Sequence, residues 1–178
     1  MPDYEKWVRR LNLAAHPEGG YYRETYRAAE SIPAGALPPR YIGSRSFATA
    51  ILFLLPAGQA SRWHRLQSDE TWHFYAGAPL WLYVLTAAGE FTRHTLGQPR
   101  LDEENWLCQA TIPAGHWFGA RPAAATGFSL AGCTVAPGFD FRDFTLADSA
   151  ELRRAFPGQA AMIAELTPPA SGNCGAND

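Results

Sequence analysis

The chain has 178 residues, 47% of them apolar and 18% charged, with a formal net charge of −2. That length suits one domain with a full core, and so low a charge density excludes a disordered chain. The slight acidity argues against a nucleic-acid partner, since tracking phosphates needs a basic surface.

The first ten residues, MPDYEKWVRR, hold no apolar signal core. Instead Tyr4, Trp7, Val8 and Leu11 share one helical face, and Asp3 is placed to cap it, which predicts a helix over residues 3–11. Residues 19–27, GGYYRETYR, read as a strand entered through a glycine pair. Residues 28–44 are broken by prolines and glycines and read as a loop. Short strands are then expected near 46–55, 60–66, 70–76, 80–86, 90–96, 106–112, 117–121 and 127–135, separated by turns such as Pro-Ala-Gly and Ala-Ala-Gly. Residues 148–166 return to helical periodicity, divided by Pro157. The Pro-, Gly- and Asn-rich residues 167–178 are expected to fray, leaving one domain over 1–166 with its barrel core at about 19–147. The longest apolar run, residues 48–57, contains Thr49 and Pro56 and is too short to cross a bilayer. Cys108, Cys133 and Cys174 form no C-x-x-C pair and no disulfide framework. A cytoplasmic protein with no membrane partner is the expectation.

The informative stretch is GQASRWHRLQSDETWHFYAG, Gly58 to Gly77. Gly58, His64, Glu70 and Gly77 fall in the register of the first cupin motif, G(x)5HxH(x)3–4E(x)6G, with Leu66 at the second His position. IPAGHWFGA supplies the Pro113-x-Gly115 core of a second motif, with Phe118 where its last His would stand and His116 two residues earlier. The chain therefore resembles a cupin, which implies an all-β double-sheet jelly roll, here with short N- and C-terminal helices. The blocks HPEGGYYRETYR, RSFATAILFLL, SDETWHFYAGAPLWLYVL and PGFDFRDFTLA look like a small cupin subfamily (cupin-5 type). Its members are often dimeric and are compared with dTDP-sugar epimerases. The resemblance implies a homodimer and leaves the reaction open.

In the cupin pattern the motif His and Glu face the lumen. Strand alternation then puts His64, Leu66, Glu70, Trp72 and Phe74 inside, and Thr71, His73 and Tyr75 outside. His64 and Glu70 are expected on adjacent strands, close enough for direct or water-bridged contact. A cupin metal centre resembles three His and one Glu, and only His64 and Glu70 keep ligand chemistry, with His116 a weak substitute. Two side-chain ligands rarely hold a transition metal, so no cofactor is expected. As in the resembling epimerases, His64 would be a general base oriented by Glu70, with Tyr83 as acid if it faces the lumen. Arg23 and Arg62 are candidates to grip an anionic ligand at the mouth, against a bland reading as solvated strand residues. Trp72 and Phe74 would pack on the ligand's body, although the aromatic residues of the motif region mostly read as core. HPEGG reads as a turn, and Asp140 and Asp143 receive no role. Three functions fit these residues: a binder of a sugar-like or carboxylated small molecule, a sugar epimerase or isomerase, or a metal-dependent cupin enzyme.

Overall fold

The computed structural model describes residues 3–99 and 106–167. Helix α1 (Asp3–Arg10) opens the chain and leads through β1 (Ala14–Ala15) into β2 (Tyr21–Arg27). β3 (Ser31–Ile32) pairs with β4 (Arg45–Ser46) across the proline-rich loop. The barrel strands come next as β5 (Thr49–Pro56), β6 (Ser61–Arg65), β7 (Asp69–Gly77), β8 (Leu80–Leu85) and β9 (Phe91–Leu96). After them stand β10 (Trp106–Leu107), β11 (Gln109–Ile112), β12 (Trp117–Pro122), β13 (Phe128–Ala136) and β14 (Thr145–Leu146). The chain closes with α2 (Ser149–Ala155), a 3-10 turn at Pro157–Gln159 and α3 (Ala160–Glu165). Asp148 caps α2 by accepting from the backbone N–H groups of Ala150 and Glu151.

Two six-stranded sheets carry the fold, in the orders β1-β2-β5-β13-β7-β11 and β10-β9-β8-β12-β6-β14. Their inner faces meet in one core, where Phe53, Trp72, Ala131 and Cys133 of the first sheet pack on Leu82, Val84, Leu96 and Phe118 of the second. Each large apolar side chain buried there contributes about 1.5–3 kcal/mol. The outer faces are covered by helices. Tyr4, Trp7 and Val8 of α1 lie on Leu54 and Leu130, while Leu152 of α2 and Ile163 of α3 lie on Trp63, Tyr83 and Leu85. This is the all-β jelly roll with short terminal helices that the motifs implied.

The expected strands are found with two divisions. The 46–55 strand is split at residues 47–48, and the 106–112 strand breaks at the exposed Cys108. That break sends β10 to the second sheet, parallel to β9, and β11 to the first, antiparallel to β7. Pro157 does separate the C-terminal helices. Gly77 ends β7 at φ +90°, where a Cβ would strike the Phe128 carbonyl oxygen. The fraying expected at the C-terminus, and Cys174 within it, lie outside the described residues.

Candidate functional site

A cavity of about 550 Å³ lies between the two sheets. Its floor is built by β6 and by the turn before β2. Trp63 points out toward α3, where its Nε1–H donates to the Ile163 carbonyl, and His64 points in. Gly19 at φ +118° and Gly20 at φ +70° turn the HPEGG segment back on β6. A Cβ on Gly19 would collide with the Ala60 carbonyl oxygen, so only glycine permits this approach. The approach drives Glu18 into the lumen, where it is 5% exposed.

Glu18, Ser61, His64, His16 and Glu70 converge there. Glu18 Oε1 accepts from Ser61 Oγ at 2.7 Å, and its Oε2 lies 3.2 Å from His64 Nε2 and 3.5 Å from His16 Nδ1. His64 Nδ1 is 2.7 Å from the Arg62 carbonyl, which can only accept, so the imidazole proton is assigned to Nδ1. Nε2 is then an acceptor facing Glu18. Burial pushes the Glu18 carboxyl up and the His64 imidazole down to about 4. Both directions fit a neutral pair in which the Glu18 O–H donates to Nε2, because a desolvated lumen disfavours either charge. His16 Nδ1 accepts the Glu18 backbone N–H at 3.3 Å, and burial pushes this imidazole down too. Glu70 is 6% exposed, and burial, with the neighbouring Glu18 carboxyl adding to it, pushes it up to about 8. Its hydrogen-bond partner is the Cys133 thiol, itself pushed up by burial.

The walls are aromatic. Tyr22 and Phe53 come from β2 and β5, and Phe139, Phe141 and Phe144 from the segment after β13. The Tyr22, Phe53 and Phe144 rings meet His16 edge-on at 4.6, 5.9 and 6.2 Å. The segment is pinned from below by Asp143, which receives Arg45 Nε and Nη2 at 2.6 Å each. Phe141, 54% exposed, stands at the rim. Arg27 closes one side of the mouth, donating to both Glu24 oxygens at 2.9 and 2.7 Å and to the Phe139 carbonyl.

Of the residues expected from sequence, His64, Leu66 and Glu70 line this cavity. His64 and Glu70 sit on consecutive strands but in opposite sheets, not on adjacent strands, and His64 bonds to Glu18 instead of Glu70. Trp72 and Phe74 point inward as expected but belong to the core beside the cavity, not to its wall. Trp72 is 1% exposed and lies behind Phe53 at 5.5 Å, with no hydrogen-bond partner for its Nε1 among the described residues. Tyr83 does not face the lumen. Leu82 and Val84 take that face, so alternation sends Tyr83 outward, where its O–H donates to Glu165 at 2.8 Å and accepts from Arg121. Arg23 also points outward, because Tyr22 and Glu24 hold the inner face. A register shift between Glu24 and Tyr26 then brings Arg27 to the mouth instead. A second shift, in β6 opposite β12, puts Ser61 beside Glu18 and leaves Arg62 outside, donating to the Pro17 and Glu18 carbonyls.

The residues do not fit a three-His, one-Glu metal centre. The Phe118 ring packs 4.1 Å from the His64 ring where a ligand would stand, and Leu66 is buried at the second His position. His116 does not line the cavity, and His64 has both ring nitrogens engaged. Among the described residues no three His, Cys, Asp or Glu side chains are grouped to hold a metal. Sequence reading missed His16, Glu18 and the Phe139–Phe144 segment as site elements. The one available signal for Glu18 was an ionisable residue placed directly before two glycines.

Comparison with known proteins agrees with the fold. The model of the cupin superfamily family Cupin_5 (DUF985) matches residues 5–147. A crystal structure of a protein from Shewanella oneidensis is similar at 36% identity and a TM-score of 0.82, over 95% of this chain and 99% of that one. A hypothetical protein from Leishmania major is similar at 35% identity and 0.80, over 93% and 98%. Oxalate decarboxylase from Bacillus subtilis is similar at 12% identity and 0.52, over 86% of this chain and 36% of that one, a likeness of fold alone. No curated protein matches in sequence. Among the described residues no helix is long and apolar enough to cross a membrane. The chain belongs to the Cupin_5 (DUF985) family of the cupin superfamily.

Proposed function

We propose that the protein binds a small organic molecule in its lumen. One observation carries this reading: a cavity of about 550 Å³ stays open while Glu18, His64 and Glu70 converge on its floor. Desolvating such groups costs roughly 1–3 kcal/mol each even when neutral. A barrel built only for stability would fill the space with aliphatic side chains, as Leu66 already does at one motif position. The volume and the mixture of rings with few polar anchors suit a small-molecule site. A homodimer, implied by the family resemblance, is kept within this proposal, and sedimentation checks it. The test is a melting-shift screen of sugars, sugar nucleotides, small carboxylates and amines against wild type and Ile51→Trp. Ile51 is a half-buried wall residue whose enlargement fills the cavity. Compounds that raise the wild-type melting temperature should leave Ile51→Trp unmoved; equal shifts in both proteins would place binding elsewhere and end the proposal.

A second reading, acid–base isomerisation of a keto-sugar, is favoured by the opposite displacements of Glu70 and His64. At neutral pH one is a proton donor and the other an unprotonated ring on the same cavity, whose Nε2 takes a substrate proton once the substrate displaces the Glu18 O–H. Tyr22 lines the lumen where Tyr83 does not. Deuterium from solvent should then enter a keto-sugar substrate with wild type and not with His64→Asn; no incorporation by wild type across a panel of keto-sugars rejects it.

A further inference from the structure

The charges of the cavity differ with depth. At the mouth each is answered: Arg27 by both Glu24 oxygens, and Asp140 by Arg142 at 2.7 Å. On the floor, Glu18 is held by Ser61 and His64, with the Arg62 guanidinium behind it. Glu70 has only the Cys133 thiol; among the described residues no Lys or Arg pairs with it, and Arg27 is the only Lys or Arg in the lining. The groups that act on Glu70 are therefore another carboxyl and a thiol, neither of which offers a positive charge. Aromatic rings line the same cavity, and their faces carry negative potential. A glutamine would fill the same volume without the desolvation cost of a carboxyl.

We infer that the lumen takes an organic cation, an ammonium group on an apolar body, with its nitrogen at Glu70 and its body against Tyr22 and Phe144; this rests on the lumen-binding reading and narrows it. A cation supplies the one partner that Glu70 lacks, and rings around an ammonium attract it further. An anion would meet two carboxyls and no free guanidinium. A neutral ligand would leave Glu70 protonated and gain nothing from its charge. Since Glu70 is protonated in the empty lumen at neutral pH, seating an ammonium there releases one proton from its carboxyl to the buffer.

Calorimetric titration with three probes of matched shape tests this: 2-phenylethylamine, 2-phenylethanol and phenylacetate. Wild type should bind the amine at least tenfold more tightly than the alcohol, and phenylacetate most weakly. Titrations in two buffers of different ionisation enthalpy should show close to one proton released per amine bound. Glu70→Gln should bring the amine-to-alcohol ratio near one and remove the proton release. Equal or tighter binding of alcohol or phenylacetate by wild type overturns the cation inference alone and leaves lumen binding standing. Binding of none of the three overturns the cation inference, and lumen binding then stands or falls on the melting-shift screen. The wild-type series decides the matter without any variant having to fold.

Discussion

Replacing Arg45 with Met would leave Asp143 as a buried carboxylate with no partner. The two side chains are 1% and 5% exposed, and they meet through two parallel bonds of 2.6 Å. The third guanidinium nitrogen also donates to the carbonyls of Ile42, Gly43 and Ser44. Removing one member of such a pair costs about 3–5 kcal/mol, because the remaining charge stays desolvated. In a domain of this size each kcal/mol moves Tm by about 2–4 °C, so Arg45→Met should melt roughly 6–20 °C lower. Asp143→Asn keeps the shape and leaves the guanidinium its three carbonyls, so it should fall at the low end. Removing both charges, as Arg45→Met with Asp143→Asn, should recover part of the loss. Urea unfolding of the four proteins at pH 7 reads the coupling directly. Since the pair pins the segment carrying Phe141 and Phe144, lumen ligands should also bind the single variants more weakly. If Arg45→Met loses less than about 1 kcal/mol, the pair behaves like an exposed surface bridge and the reasoning fails.

The remaining predictions concern the floor and the outer face. Glu70 has its carboxyl raised to about 8, so the native state binds a proton that the unfolded state has released, and stability falls as pH rises. His64, lowered to about 4, acts in the opposite direction below about pH 6.5. The net loss should therefore appear between about pH 6.5 and 8, at about 1 kcal/mol per pH unit, and Glu70→Gln should be flatter there; parallel urea-stability curves contradict the assignment. Tyr83→Phe removes the bonds to Glu165 and Arg121 on the outer face. It should cost about 1 kcal/mol of stability and leave lumen binding unchanged, whereas lost binding would return Tyr83 to the site. Gly19→Ala meets both a positive φ and the Ala60 carbonyl. It should cost more than about 1 kcal/mol and displace Glu18, seen as loss of the Glu18–His64 bond in the histidine nitrogen chemical shifts.

The parts of the site legible in sequence are those where a fixed spacing meets an undisturbed strand. His64 and Glu70 stand in motif register, and alternation turned both inward as expected. Arg23 and Arg62 were misread for different reasons: nothing in YYRETYR fixes which face is the inner one, which Tyr22 and Glu24 take, whereas in ASRWHR a bulge that no residue marks adds one position and moves Arg62 off the His64 face. Tyr83 lies in PLWLYVL, a strand buried by the lumen on one side and by α2 and α3 on the other. With both faces apolar, its pattern holds no phase to read. His16, Glu18 and the three phenylalanines after β13 sit in irregular backbone, where no period exists. Their inward direction depends on the Gly19–Gly20 turn and on the Arg45–Asp143 pair, which joins residues 98 positions apart.

A crystal structure of the protein with the tightest binder from the melting screen tests the central claim most directly. Ligand density is expected inside the lumen, with a polar group within hydrogen-bond distance of Glu70 and the body of the molecule against Tyr22 and Phe144. The Glu18–His64 bond should persist beneath it. Ligand density confined to the outer face beside Tyr83 and Arg121, with only water in the lumen, would contradict this reading.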